Sequence, residues 1–244
     1  MSWNIRSGAS LDGTSFWWLR RRSVRDVLVG LRPDVVGLQE VFGFQRRWVL
    51  AHTPGPDHWD HCGVARGRWS WGEAAPIVWR RSGFELVSGT TRWFGDRPLV
   101  RASKAAGADA PRVATWVELR GADGGPRFRI VNTHLDAHSI DARRGSCHQI
   151  VAELAAADEV PTVVLGDFNA TLDDDEMAPL PASGLRSVLP HDAGPTATSF
   201  EREDGRRLDH VLVSDEWEVG RAEVWAHAST ASDHYPVVVD LVLP

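Results

Sequence analysis

Four β-like segments follow one another with no helical spacing between them: PIVWRR, FELVSGTTRW, RVATWVELR and FRIVNTHL. A parallel pair of strands needs a long crossover, usually a helix, so a purely parallel sheet does not fit such a run. Helical spacing appears elsewhere. Val24, Val27, Leu28 and Leu31 form one stripe that stops at Pro33, and Cys147, Ile150, Val151 and Leu154 form a second. Each stripe leads into a short apolar strand, DVVGLQE and PTVVLGDFN, and LDHVLVS and YPVVVDLVL close the chain. Helices and strands are interspersed while many strands are consecutive, which predicts a layered α/β chain built from mixed sheets packed together.

The 244 residues, 43% of them hydrophobic, suit one domain over residues 1–244 with a sizeable core. RASKAAGADAP and RGADGGPR are small-residue loops rather than linkers, and most of the twelve tryptophans are expected as core or loop anchors. The net charge is −6, and Lys104 is the only lysine. Such a surface does not attract a long polyanion, so stable coating of duplex DNA is not expected. Cys62 and Cys147 stand too far apart in sequence for a CxxC pair, so a reducing compartment is expected. No apolar run is long enough for a membrane span and no signal peptide is evident. A cytoplasmic monomer is the expectation; a secreted one would need a start upstream of Met1.

Polar residues recur where strands end. Asn4 lies in SWNI, Glu40 ends VVGLQE, and Asn132, His134 and Asp136 end RIVNTHLD. Asp167 and Asn169 end VVLGDFN, Asp209 opens LDHVLVS, and Asp233 and His234 precede the last strand. Each alone reads as a cap or turn. Six such places in order suggest groups that converge on one rim of a sheet.

LQE, NTHLD, GDFN and SDHYPV, in that order, resemble the endonuclease/exonuclease/phosphatase superfamily, whose fold is that of deoxyribonuclease I. GEAAPIVWRR and PRVATWVEL further resemble a bacterial subgroup of about this length, with poly(A)-removing exonucleases as distant relatives. The resemblance implies a four-layer sandwich of two mixed β-sheets flanked by helices. It also implies Mg²⁺-dependent cleavage of phosphoesters, whose substrates across the superfamily range from DNA and RNA to inositol phosphates and sphingolipids.

On that resemblance Glu40 is the expected Mg²⁺ ligand, with Asn4 beside it and Asp233 and Asp167 as further oxygen donors; Mn²⁺ would also suit such a set. The plainer reading of Glu40 is an acid at the start of a helix over VFGFQRRW. His234 is the expected general base, oriented by Asp209, since its ordinary pKa lies near neutral pH. Asp167 would orient the attacking water and Asn169 would donate to a phosphate oxygen. His134 would contact the phosphate opposite His234. Glu73 matches the family acid that orients this histidine, or else is an ordinary loop acid. Arg112 would contact phosphate, or else is an exposed arginine at a strand start. Asp136 would line the site; Ala137 interrupts the familiar pattern, so nothing is assigned to His138.

Two other clusters carry no metal in this reading. His52, His58, His61 and Cys62 lack the spacing of a zinc site and read as a loop between strands. Asp173 to Glu176 read as the acidic first turn of a short helix rather than a calcium loop. The expected substrate is a single-stranded nucleic acid or a small phosphoester, with a phosphodiesterase or nuclease placed first and a sugar or inositol phosphomonoesterase second. A phosphate-binding module without catalysis is the expectation from another class. Specificity is expected in the loops over residues 94–111 and 191–206.

Overall fold

A computed structural model describes residues 1–10, 16–53, 59–198, 205–228 and 230–243. Among them, twelve strands build two six-stranded sheets, and the strands at the sheet centres are buried along nearly their whole length. The first comprises β1 (Ser2–Asn4), β2 (Val35–Gln39), β3 (Trp59–Cys62), β4 (Ile77–Arg80), β11 (Glu218–Val224) and β12 (Val237–Val242), in the order β11-β12-β1-β2-β4-β3. The second comprises β5 (Phe84–Trp93), β6 (Val113–Gly121), β7 (Arg127–His134), β8 (Thr162–Asp167), β9 (Arg186–Ser187) and β10 (Asp209–Val213), in the order β5-β6-β7-β8-β10-β9.

Each sheet has one parallel pair at its centre, β1 with β2 and β7 with β8. These are the two places where a long helix intervenes: α1 (Trp17–Leu31) joins the first pair and α3 (Ile140–Ala155) the second. The consecutive strands pair antiparallel, as their short connections require. The sheets face each other across a core that includes Ile77, Trp79, Val117, Ile130, Val163, Leu165 and Val211. On the outer face of the first sheet, Trp3, Val36, Leu38 and Val78 pack against Trp17, Val24 and Leu28 of α1 and Val49 of α2 (Gly43–His52). On the outer face of the second, Val131, Val164 and Leu212 pack against Cys147 and Ile150 of α3. Val163, Val164 and Leu165 thus alternate between two cores, which is why this strand reads as a continuous apolar run. The result is a four-layer sandwich with helices outside two mixed sheets. No helix among the described residues is long and apolar enough to cross a membrane.

Gly37 on β2 faces the opposite sheet. A Cβ there would lie 2.1 Å from Leu165 Cδ1 and 2.9 Å from Asn132 Cγ, so glycine lets the sheets approach at this point. Asn132, expected as a rim residue, is instead fully buried in that gap. Its amide donates to Leu38 O and Pro76 O, and its oxygen accepts from Gln39 Nε2 at 2.7 Å.

Of the other readings, one changes, one alternative falls away and one is refined. WDHC is an edge strand, β3, not a loop: a half-buried edge tolerates its histidine and acid, and His61 and Cys62 fall on opposite faces. His58 lies outside the described residues. Glu40 is not a helix acid, because α2 begins after Phe42 and the Glu40 carboxylate turns the other way, accepting from Ser7 N at 2.7 Å. The acidic run is a 3₁₀ turn over Asp175–Met177 followed by a short helix, α4 (Pro179–Ala182), and Glu176 points inward. There it accepts two hydrogen bonds from Arg143 of α3, at 2.9 and 2.6 Å, while Arg143 also donates to Asp136 O. Both side chains are buried. Glu176→Ala strands a buried guanidinium, an expected loss of about 3 kcal/mol. Thermal unfolding should show a fall in Tm of roughly 10 °C. An unchanged Tm would mean that Arg143 finds another partner.

Candidate active site

Strand register brings the polar strand ends together. In the second sheet Asp167 pairs with His134 on its parallel neighbour and with Asp209 on its antiparallel one, so three site residues stand at one level. Gly166 permits this closeness: its φ is +150° and a Cβ would lie 2.1 Å from Thr133 O. In the first sheet Asn4 pairs with Gln39, which sets Glu40 just beyond the strand at the same end. Asn4 then spans the sheets, donating from Nδ2 to Glu40 Oε1 and to Asp167 Oδ2, both at 2.9 Å. His234 enters just ahead of β12, fixed by a bridge to Ala197 and by Trp3 Nε1 donating to its carbonyl.

Asp167 is the hub. Its Oδ2 lies 3.7 Å from His134 Nε2 and 3.8 Å from His234 Nε2, and its Oδ1 accepts from Asn169 N at 2.9 Å. Burial, then the like charge of Asp209, raise its pKa to about 7, against the pull of His234 and Asn4. His234 Nδ1 lies 2.7 Å from Asp209 Oδ2, so Nε2 faces the cleft. Thr196 Oγ1 accepts from the backbone of Leu208 and Asp209 and holds that acid in place.

The two histidines are pushed apart. Burial lowers both, and for His134 the charges of Arg112, Arg66 and His234 drive it further down, well below its ordinary value. For His234 the charges of Asp209 and Asp167 outweigh burial and hold it well above. Their surroundings thus push the two imidazoles in opposite directions, a separation typical of acid–base sites.

Glu40 is raised by burial and by the nearby charge of Glu73, offset in part by the Asn4 hydrogen bond. Asn4 presents its oxygen to Arg6 N at 2.9 Å, so it ties the two carboxylates together rather than facing the cleft through that atom. Asp233 is engaged by the Arg6 guanidinium and by Ser232 Oγ at 3.2 Å. Asn169, with a left-handed φ of 51°, donates from Nδ2 to Leu135 O and lines the cleft.

The expected Glu73–His134 hydrogen bond is not formed. Glu73 Oε2 instead meets Arg66 at 2.7 Å, inside a loop closed by Arg66 N donating to Glu73 O. Arg66 was not anticipated; its trace in the sequence is an arginine directly before a glycine, seven positions before the acid. Arg112 is not an exposed strand-start residue. Its side chain is 12% exposed, lines the cleft and stands 3.9 Å from Asp136. Asp136 is fully buried and does not reach the cleft: it accepts from the backbone of Asp109, His138 and Ser139. Burial pushes its pKa up, but those donors and Arg112 more than reverse this. A double-mutant cycle should find Glu73 coupled to Arg66 by roughly 1 kcal/mol in transition-state energy and additive with His134. Coupling to His134 alone would contradict this pairing.

The cleft has a volume of about 440 Å³ and is lined by residues including Ser7, Glu40, Arg66, Arg112, His134 and His234. A larger cavity of about 590 Å³ opens at the opposite ends of the strands, around Met1, Val35 and Val163, away from the converging acids and histidines. Glu40, His134 and Asp167 offer donor atoms within 4.8 Å of one another, as do Asp167, Asp209 and His234. Buried carboxylates crowded at the cost of raised pKa values, with no thiolate among them, fit a hard divalent cation.

The chain matches the model of the Endonuclease/Exonuclease/phosphatase family over residues 1–234. A solved family protein from Bacteroides vulgatus is 29% identical with a TM-score of 0.92, covering 100% of this chain and 97% of its own. A mannosyl-6-phosphatase from Bacteroides thetaiotaomicron is 26% identical with a TM-score of 0.87, covering 99% and 98%. The human Nocturnin catalytic domain shares the fold at 20% identity and a TM-score of 0.76, covering 99% and 93%. No curated protein sequence matches the chain. With carboxylates and histidines grouped as a divalent metal requires, and a family match across nearly its whole length, the chain belongs to the endonuclease/exonuclease/phosphatase family of metal-dependent phosphoester hydrolases.

Proposed function

We propose that the protein is a Mg²⁺-dependent phosphomonoesterase acting on a phosphorylated sugar or a similarly small alcohol. The observation that carries this is the pair of arginines in the cleft. Arg66 and Arg112 both line the cleft, and burial, then the charge of Arg66, lower the pKa of Arg112 against the pull of Asp136, Glu73 and Asp167. A phosphomonoester carries close to two negative charges at neutral pH, its second pKa being about 6. A diester carries one. Two arginine forks suit the dianion. The 26% identity to a mannosyl-6-phosphatase supports the same reading. It reverses the order expected from sequence, in which a phosphodiesterase or nuclease stood first.

In this reading Glu40 and Asp167 hold the metal, with Asn4 fixing both carboxylates. A divalent cation held there would screen phosphate charge and polarise the phosphoryl oxygen. Asp209 keeps His234 oriented with Nε2 toward the cleft, where it accepts the proton of the attacking water. His134, kept neutral, contacts the phosphate from the other side of Asp167. Arg66 and Arg112 hold the remaining phosphate oxygens.

The test is a panel of hexose 6-phosphates, glycerol phosphate, bis(p-nitrophenyl) phosphate, single-stranded oligonucleotides and duplex DNA. Monoesters should exceed the bis-ester in kcat/KM by about tenfold or more, the value of one charge-assisted hydrogen bond. Duplex DNA should bind weakly. Arg20, which might have joined a basic face, is buried and donates to the carbonyls of Ile5, Arg6 and Ala231. Faster hydrolysis of the bis-ester or of nucleic acid would overturn the proposal.

A further inference from the structure

The loop that carries Arg66 and Glu73 also carries two tryptophans that the core does not use. Trp69 is 93% exposed and Trp71 76% exposed. The loop is not loose. Gly67 N donates to Trp71 O at 3.1 Å, Trp71 N to Arg68 O at 3.0 Å, and Trp93 Nε1 to Arg66 O at 2.6 Å.

An isolated bridge, Val41 to Ala74, joins this loop to the segment after β2. Both bridge residues are buried. Glu40 and Glu73, the residues just before each bridge partner, both line the cleft, and the charge of Glu73 helps raise the pKa of Glu40. Phe42, two residues after Glu40, is set level with Glu73 by this antiparallel bridge, and its ring meets that of Trp71, two residues before Glu73, edge to face with centroids 6.0 Å apart. Phe42 is backed by Phe44 at 5.8 Å, and Phe44 by a stacked Trp18 at 6.3 Å. The same bridge therefore fixes two site acids and, next to them, a firm aromatic pair with one ring mostly in water. A large ring held rigid yet unburied is unusual for a purely structural role, and contiguous exposed apolar surface marks recognition.

We propose that Trp71, braced by Phe42 in the loop that gives the cleft Arg66 and Glu73, extends the cleft rim into a wall that takes the sugar ring of the substrate. This deepens the phosphomonoesterase reading and rests on it. The occupant follows from continuity: whatever alcohol is esterified to a phosphate held between Arg66 and Arg112 must leave the cleft past its rim. A pyranose ring offers an apolar C–H face for a tryptophan and hydroxyls for water and for the polar rim. An acyclic alcohol such as glycerol offers no such face. The wall thus distinguishes ring from chain, while the arginines and histidines act on the phosphate common to both.

The experiment compares kcat/KM for mannose 6-phosphate, glycerol phosphate and a nucleoside 5′-monophosphate in wild type, Trp71→Ala and Trp71→Phe. Trp71 is exposed, so the variants should melt with the wild type. The expected result is that Trp71→Ala lowers the ratio of mannose 6-phosphate to glycerol phosphate by about tenfold, mostly through KM, and that Trp71→Phe restores most of it. An unchanged ratio, or an equal loss on both substrates, overturns the wall while leaving the phosphomonoesterase reading standing. A loss confined to the nucleotide shows stacking on a base and overturns the sugar assignment. Failure of the wild type to release phosphate from glycerol phosphate and from mannose 6-phosphate overturns both.

Discussion

Replacing His234 by Ala should lower kcat by roughly 10²–10⁴-fold, the usual worth of a positioned general base. The contact that makes this residue a base is the 2.7 Å bond between Nδ1 and Asp209 Oδ2, which leaves Nε2 toward the cleft. The pH profile carries a second expectation. A base works unprotonated, and the pKa of His234 is raised: burial lowers it, but Asp209 and Asp167 outweigh burial. Activity should therefore fall, as pH decreases, at a value above the ordinary histidine pKa of about 6.5. Asp209→Asn removes the largest raising charge, so the acid limb should move to lower pH while the maximal rate drops. A profile flat between pH 6 and 8, or an Asp209→Asn limb moved upward, would contradict the assignment. Phosphate release measured across pH with both variants decides it.

Glu40→Gln should raise the Mg²⁺ concentration needed for half-maximal activity by roughly 10–100-fold or more, since even residues that only support metal ligands cost that much. Glu40 is crowded: burial and Glu73 raise its pKa, and only Asn4 and Ser7 N offset this. A carboxylate held at such expense gains most when a cation is present. Gln keeps the shape and one of the two acceptor contacts, to Asn4 Nδ2 or to Ser7 N, so the shift in Mg²⁺ dependence is read beside the change in melting temperature to separate metal binding from folding. Equal Mg²⁺ dependence in both proteins would remove Glu40 from the site.

The architecture was legible because topology follows from connection length. Helical stripes before DVVGLQE and PTVVLGDFN marked the two parallel crossovers, and helix-free runs marked the antiparallel neighbours. The Asp167, His134 and Asp209 cluster was legible too, because six polar strand ends in order along one chain are too many to be caps and turns alone. What sequence did not reveal depends on which atoms meet across loops. Glu73 pairs with Arg66 through a closed loop whose geometry no periodicity encodes. Asp136 looked like a cleft residue by its place in NTHLD, yet three backbone donors draw it inside. The strand over WDHC was hidden because an edge strand need not be apolar on either face. Trp69 and Trp71 were not distinguishable among twelve tryptophans expected mostly as core or loop anchors, and it is their exposure that sets them apart.

The central claim is that the cluster around Glu40 and Asp167 is a divalent-metal phosphoesterase site. Its most direct test is phosphate release from mannose 6-phosphate by protein stripped with EDTA, dialysed and then titrated with Mg²⁺. The account predicts no turnover in the stripped protein, full recovery with Mg²⁺ in the wild type, and recovery in Glu40→Gln only at much higher Mg²⁺. Full turnover in excess EDTA would contradict it.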